Sequence, residues 1–330
     1  MKKNKIIQII LIMCSMIIVL LSPTVFYNKI TTDSYFSPQE YQGIIRLWHI
    51  DTFEGGKGSR AEFLSKRALE YENKNSGQLI LVSNHTIESA KTAFKKGEYP
   101  DLISYGVGFE DIALISYPLN NLNFKGGNIL GESYAYPWCY GSYAIFSFKS
   151  EIDLDNLSGK AVFNSSGGIT AAALQNIKLD YDVKEPIDAY VDFINGKYDY
   201  LIGTQRDICR FQSRNLNIYM QPLNYYSDLY QYISLLTKDT VKSAIAKKFI
   251  NYLLSSNSQK KLTALSMMSA DNKIYTDNEN MRLLENANIT STISAFIEKT
   301  SLSNFYSNAV SALDGNSDAV KKIKNILIYI

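Results

Sequence analysis

The sequence predicts an α/β protein of two lobes joined by hinge strands, carried behind an apolar N-terminal segment. Three observations carry this reading. A basic start leads into an apolar run; two blocks of strand, turn and helix follow; aromatic, strand-like stretches lead out of the first block and back from the second.

Lys2, Lys3 and Lys5 precede the apolar run 6–21, whose only mildly polar members are Gln8, Cys14 and Ser15. Cationic residues stay on the cytoplasmic side, so the rest of the chain is expected outside the membrane. About sixteen residues is long for a signal core and slightly short for a spanning helix. Three readings stay open. A retained anchor would be extended by Val25, Phe26 and Tyr27. Cleavage would fall near Ser22-Pro23-Thr24, where the proline is unfavourable. Lipidation at Cys14 is opposed by Met13 before it and by the core that continues over 16–21. Residues 1–27 are read as a signal-anchor or signal peptide, and 28–42 as a stalk.

The body from about Tyr41 onward holds roughly 290 residues, large for one core and natural for two lobes. A hydrophobic share of 46% and a charged share of 20% are those of a globular protein. The formal charge is +2, and setting aside Lys2, Lys3 and Lys5 leaves −1. No field draws such a body to nucleic acid. Beyond the membrane segment only Cys139 and Cys209 remain, as two buried thiols or one disulfide.

Along the chain, Gly43-Ile44-Ile45-Arg46-Leu47-Trp48-His49-Ile50 reads as a strand, followed by a glycine-rich turn over 53–60. Ala61, Leu64, Ala68 and Tyr71 then share a helix face. Residues 78–83 form a second strand and 88–96 a helix stopped by Gly97; a turn at Pro100-Asp101 opens a third strand through Tyr105-Gly106. The stretch 134–148 is aromatic and extended. The alternation restarts with a strand at 160–164, a turn at Ser165-Ser166-Gly167-Gly168, a helix over 169–177, and a strand at Tyr200-Leu201-Ile202-Gly203. Residues 218–236 again read as extended. From Thr240 the pattern is helical, with Val241, Ala244, Ile245, Phe249, Tyr252 and Leu253 on one face. A chain that leaves one lobe and returns assigns 43–146 and 230–330 to lobe 1 and 147–229 to lobe 2.

Several of these segments resemble the extracellular solute-binding proteins of ABC importers, family 1-like, in the type II periplasmic-binding-protein fold. Ile45-Arg46-Leu47-Trp48-His49 resembles the family's opening strand, and Gly97-Glu98-Tyr99-Pro100-Asp101-Leu102-Ile103 its approach to the third. The segment from Tyr136-Pro137-Trp138 to Ser147 resembles the first hinge crossing. Phe193-Ile194-Asn195-Gly196-Lys197 resembles a helix end, and Ala246 through Gln259 the paired helices after the return. The order and spacing of these pieces cover nearly the whole exported part. The resemblance implies a non-enzymatic substrate-binding component that captures a small solute, a sugar or oligosaccharide, and delivers it to ABC permease subunits by lobe closure. A membrane-tethered sensor and an exported enzyme on the same fold are the alternatives.

Ligands in such architectures sit between lobes, at strand C-termini and helix N-termini. This nominates His49, Phe53, Glu54, Gly55 and Gly56 after the first strand, Asn84 after the second, and Tyr105 and Gly106 after the third. In the second lobe it nominates Ser165, Ser166, Thr204, Gln205 and Arg206. Trp138, Tyr140, Tyr225 and Tyr226 lie on or beside the crossings, as sugar-stacking faces or as hinge packing. The loop 53–60 is not a Walker loop, because Lys57 precedes Gly58. His49, Asp51 and Glu54 do not have metal-ligand spacing. No catalytic grouping, metal site or cofactor is expected. The partners expected are a carbohydrate ligand, permease subunits and, through the N-terminal segment, the membrane.

Overall fold

The computed structural model describes residues 43–149 and 151–330. The apolar run and the stalk lie outside them. Among the described residues no helix is long and apolar enough to cross a membrane.

The first block runs β1 (Gly43–His49), α1 (Arg60–Glu72), β2 (Gln78–Asn84), α2 (Ile87–Lys95) and β3 (Leu102–Tyr105). A short hairpin, β4 (Asn128–Ile129) with β5 (Glu132–Ser133), precedes β6 (Tyr136–Tyr140) and β7 (Tyr143–Ser147). The second block is β8 (Lys160–Phe163), α3 (Ser166–Leu174), β9 (Asp180–Val183), α4 (Pro186–Ile194), β10 (Tyr200–Thr204), α5 (Gln205–Ser213) and β11 (Tyr219–Pro222). The chain returns through β12 (Tyr230–Leu235) to α6 (Thr240–Leu254) and α7 (Ser256–Lys260). It ends with α8 (Glu279–Glu285), β13 (Ser291–Thr292), α9 (Lys299–Leu313), α10 (Ser317–Ile326) and β14 (Ile328–Tyr329).

Two five-stranded sheets result, ordered β2-β1-β3-β12-β6 and β9-β8-β10-β7-β11. Each follows one scheme. The first and third strands of a block pair in parallel, β1 with β3 and β8 with β10. An antiparallel strand arriving from the other lobe comes next, β12 beside β3 and β7 beside β10. The departing strand closes each sheet, β6 beside β12 and β11 beside β7. The chain therefore crosses between sheets at 141–142 and again over 223–229.

Helix starts follow side-chain capping. Ser59, Thr86, Ser165, Thr204 and Asp239 each accept a backbone N–H from the first turn of the helix they precede. The first core gathers Trp48, Ile103, Tyr105, Phe109, Tyr230 and Tyr232. The second gathers Ile145, Phe163, Ile202 and the alanines of α3 with Phe305, Ala309 and Ile323 of α9 and α10.

That second core changes two expected boundaries. Tyr143 and Ile145 belong to the second sheet, so lobe 1 does not run to 146. Helices α9 and α10 pack on the second core, where chain order had put 230–330 with the first. Helical periodicity shows which face is apolar, not which sheet it covers. Ala171 and Ala172 of α3 share this core with Ala309 and Ala312 of α9; small side chains let the two axes approach closely. The strand β9 was not legible either, because Asp180-Tyr181-Asp182-Val183 is a polar edge strand.

Candidate ligand-binding cleft

The strand ends of the two sheets meet where the chain crosses. On the first sheet, β1 ends in a chain of hydrogen bonds. The Trp138 indole N–H and the Gln231 amide both donate to Ser104 Oγ, at 2.9 and 3.1 Å. Ser104 Oγ lies 3.1 Å from His49 Nδ1, and His49 Nε2 lies 3.0 Å from Asp51 Oδ1. With two donors already on Ser104, its own hydroxyl proton goes to Nδ1. His49 is then a neutral imidazole donating from Nε2. Burial lowers its pKa from 6.5, against the opposing pull of Asp51. Arg60 Nε donates to the same Asp51 oxygen at 2.7 Å. Burial pushes the Asp51 carboxyl up, but the His49 hydrogen bond and the Arg60 charge outweigh it and hold it at about 2.

The loop after Asp51 reaches the other lobe. Phe53 packs against the second core, with the Arg60 guanidinium 4.1 Å above its ring. Glu54 Oε1 pairs with Arg210 Nη2 at 2.6 Å and lies 3.7 Å from Arg206 Nε. Arg206 Nη1 donates to the Gly56 carbonyl at 2.7 Å. Gly106 permits this approach: a Cβ there would lie 1.7 Å from Thr52 Oγ1.

On the second sheet, Ser165 caps α3 by accepting the Gly168 N–H at 3.2 Å. Asp228, from the return crossing, faces this helix start and accepts hydroxyls from Tyr143 at 2.6 Å and from Tyr306. A Cβ on Gly167 would meet Tyr143 Oη at 2.0 Å and Asp228 Oδ1 at 2.5 Å. The chain thus places its own carboxylate where a helix N-terminus favours an anion. Burial, and then the Asp228 charge, raise both phenols well above the usual range, so they remain donors. Beside them, Asp207 is fully buried and accepts Thr204 N–H, Asn164 Nδ2 and Arg210 Nη1 at 3.0, 2.8 and 2.8 Å. Gln205 Oε1 accepts the Ser142 N–H at 3.1 Å, tying α5 to the first crossing.

Of the nominated residues, Phe53, Glu54, Gly56 and Arg206 meet across the lobes; Gly55 sits in the same loop. Gly106, Ser165, Ser166, Thr204 and Gln205 lie at the facing strand and helix ends. Seven others are placed differently. Trp138 is fully buried, stacked on Phe63 at 5.6 Å, so it is lobe packing with no face for a sugar. Tyr105 is buried against Ser234, its hydroxyl at 3.1 Å. His49 has both ring nitrogens engaged and no exposed surface. Tyr140 is half-buried and stacked on Tyr230 at 5.5 Å. Tyr226 is core, and Tyr225 is exposed at the far end of α3. Asn84 is exposed at the end of β2 and makes no hydrogen bond to the other lobe among the described residues.

Sequence reasoning did not nominate Asp51, Arg60, Tyr143, Asp228, Arg210 or Tyr306. The one signal for Asp228 was a lone carboxylate inside an otherwise aromatic and apolar stretch. Cys139 and Cys209 are both free, the first buried and the second half-buried.

Solved binding proteins share this architecture. The cyclic alpha-maltosyl-1,6-maltose binding protein of Arthrobacter globiformis matches with a TM-score of 0.63 at 12% identity, over 87% of this chain and 98% of that one. The sugar-binding protein MalE of Xanthomonas citri matches with a TM-score of 0.59 at 12% identity, over 86% and 96%. The GacH receptor of Streptomyces glaucescens, solved unliganded and with acarbose, matches with a TM-score of 0.58 at 14% identity, over 87% and 97%. No protein-family model and no curated protein sequence matches the chain. The likeness shows the fold: a two-lobed, type II periplasmic-binding-protein fold.

Proposed function

We propose that this chain is the substrate-binding component of an ABC importer. It captures a sugar or oligosaccharide between its lobes on the outer side of a bacterial membrane and delivers it to permease subunits. Residues 1–27 hold it to that membrane or direct its export. The crossings at 141–142 and 223–229 act as the hinge, and lobe closure is what the permease reads. The ligand is released unchanged, with no chemical step.

One observation carries the reading: two sheets of a single strand order, joined twice, along nearly the full length of proteins whose names specify maltose, sugars or acarbose. The facing groups suit hydroxylated ligands. Carboxylates Asp51 and Asp228 keep lone pairs that can accept, while the backbone at the helix starts after Ser165 and Thr204 can donate. The test is calorimetric titration of the full chain with maltose, maltotriose and a cyclic maltodextrin, with scattering on the same samples. A ligand at a hundred times its dissociation constant stabilises by about 2.7 kcal/mol, and closure shrinks the particle. Absence of heat, of stabilisation and of any change in shape with all three would refute the reading.

A further inference from the structure

Tyr225 is a non-glycine residue at φ 73°, held there on both sides. Its N–H donates to the Asn288 carbonyl at 2.8 Å. Its own carbonyl accepts the Ser291 N–H at 2.8 Å, the Thr290 N–H at 3.3 Å and the Ser291 hydroxyl at 2.5 Å. A left-handed residue bearing a large side chain persists only where its surroundings over-determine it. Here they fix the backbone and leave the ring 45% exposed.

That ring lines a cavity of about 610 Å³ at the C-terminal end of α3. The cleft faces the other end of this helix, on the order of 13 Å away. Five separate stretches of chain converge on the cavity, one of them Thr290 and Ser291 beside the Tyr225 carbonyl. Asp155 comes from the loop before β8, Gln175 and Asn176 from the end of α3, Tyr225 from the return crossing, and Lys324 and Tyr329 from the C-terminus. Leu174 and Leu327, which join the second core, supply an apolar lining.

Thr290 and Ser291 turn their hydroxyls onto the Tyr225 carbonyl, but most of the other polar groups here are unspent. The side chains of Asp155, Asn176, Tyr225, Lys324 and Tyr329 enter no hydrogen bond or ion pair among the described residues, and Gln175 uses only its carbonyl, toward Asn224 N–H. In the cleft, by contrast, Glu54, Arg206, Asp207 and Asp228 are all engaged within the chain.

We propose that this cavity is a second binding site, distinct from the cleft, for a polyhydroxylated ring of monosaccharide size. Hydroxyls both donate and accept. The site offers an acceptor-only carboxylate, a donor-only ammonium and two carboxamides that do both. Two exposed tyrosines supply aromatic surface for the C–H-rich face of such a ring. The volume is that of a small-molecule pocket.

The test is ligand-observed NMR and calorimetry on the full chain with glucose and maltotriose, for wild type, Tyr225→Gly and Tyr329→Ala. Glycine takes φ 73° without strain, so Tyr225→Gly removes the ring while the melting temperature holds or rises. The expected result is a sugar-binding event whose dissociation constant rises tenfold or more in both variants, whatever happens at the cleft. If no binding event of either sugar responds to both variants, the proposal is wrong. A cleft that binds sugar normally beside an unresponsive cavity separates this failure from failure of the importer reading.

Discussion

The two sheets share a strand order but not the way their cleft ends are assembled. The first sheet's end is local. His49, Asp51 and Arg60 come from one strand, the next turn and the next helix, and their polar groups meet within a dozen residues of chain. The second sheet's end is non-local. Tyr143 and Tyr306 reach Asp228 across 85 and 78 residues. One end is built of formal charges, partly open to water, and the other of a buried carboxylate and neutral phenols. Equivalent positions in a repeated topology need not carry equivalent chemistry, and substitutions at each end separate the two.

The largest expected effect is on the first sheet's packing. Trp138→Ala removes a fully buried indole, its stack on Phe63 and its bond to Ser104. The loss should be about 3–5 kcal/mol in denaturant unfolding. Full stability with weakened sugar binding would return Trp138 to the cleft and undo its assignment to the core.

Next comes the second sheet's non-local cluster. Asp228→Ala leaves the Tyr143 and Tyr306 hydroxyls without their acceptor. Bonds to a charged acceptor contribute about 1.5–3 kcal/mol, and that is the destabilisation expected. Because the cluster joins the return crossing to α9, the variant should also broaden the distribution of interlobe distances. An unchanged unfolding midpoint and an unchanged distance distribution would mean the cluster holds nothing.

These two sites also show what the sequence could and could not convey. The strand–helix alternation, the two crossings and the loop 53–60 were legible because each is a local pattern with its own period or breaker residues. The aromatic residues were not sorted by it. Trp138, Tyr140, Tyr225 and Tyr226 have the same composition whether they face a sugar or a neighbouring strand, and only packing tells them apart. Arg206 and Glu54 were found because strand ends point to them. Asp228, Tyr143 and Tyr306 were not, since their meeting depends on α9 lying along α3, a choice of partner that amphipathic spacing leaves open.

Acid separates the two ends further. The Asp51 carboxyl sits at about 2 in the folded chain, against 3.8 ordinarily. The unfolded chain therefore takes up this proton first as pH falls. The contribution of Asp51 is complete above about pH 4 and is lost on the way down to 2. His49 acts in the same direction at higher pH. Its folded pKa lies below 6.5, so acidification through that value favours the unfolded chain. Stability of the first lobe should decline with acid in two stages, and Asp51→Asn should remove the lower one. A stability profile between pH 7 and 2 that does not change on Asp51→Asn would sever the proposed link between that carboxylate and the buried histidine.

The smallest expected effect is the most informative about closure. Among the described residues, Glu54 is the one carboxylate that the first lobe extends to Arg206 and Arg210 of the second. All three are partly exposed, with side-chain exposures of 40%, 36% and 15%. Such pairs contribute about 0.2–1 kcal/mol and are screened by salt. Arg210 keeps Asp207, and Arg206 keeps the Gly56 carbonyl, so Glu54→Gln should leave both lobes folded. What it should change is the balance between open and closed forms, by up to about fivefold. Distances between labels on the two lobes, followed against ionic strength, read this directly. Wild type should open as salt rises, while Glu54→Gln should already behave at low salt as wild type does at high salt. Identical salt curves for the two proteins would show that the facing ends close through the uncharged contacts of Phe53 and Gly56 alone.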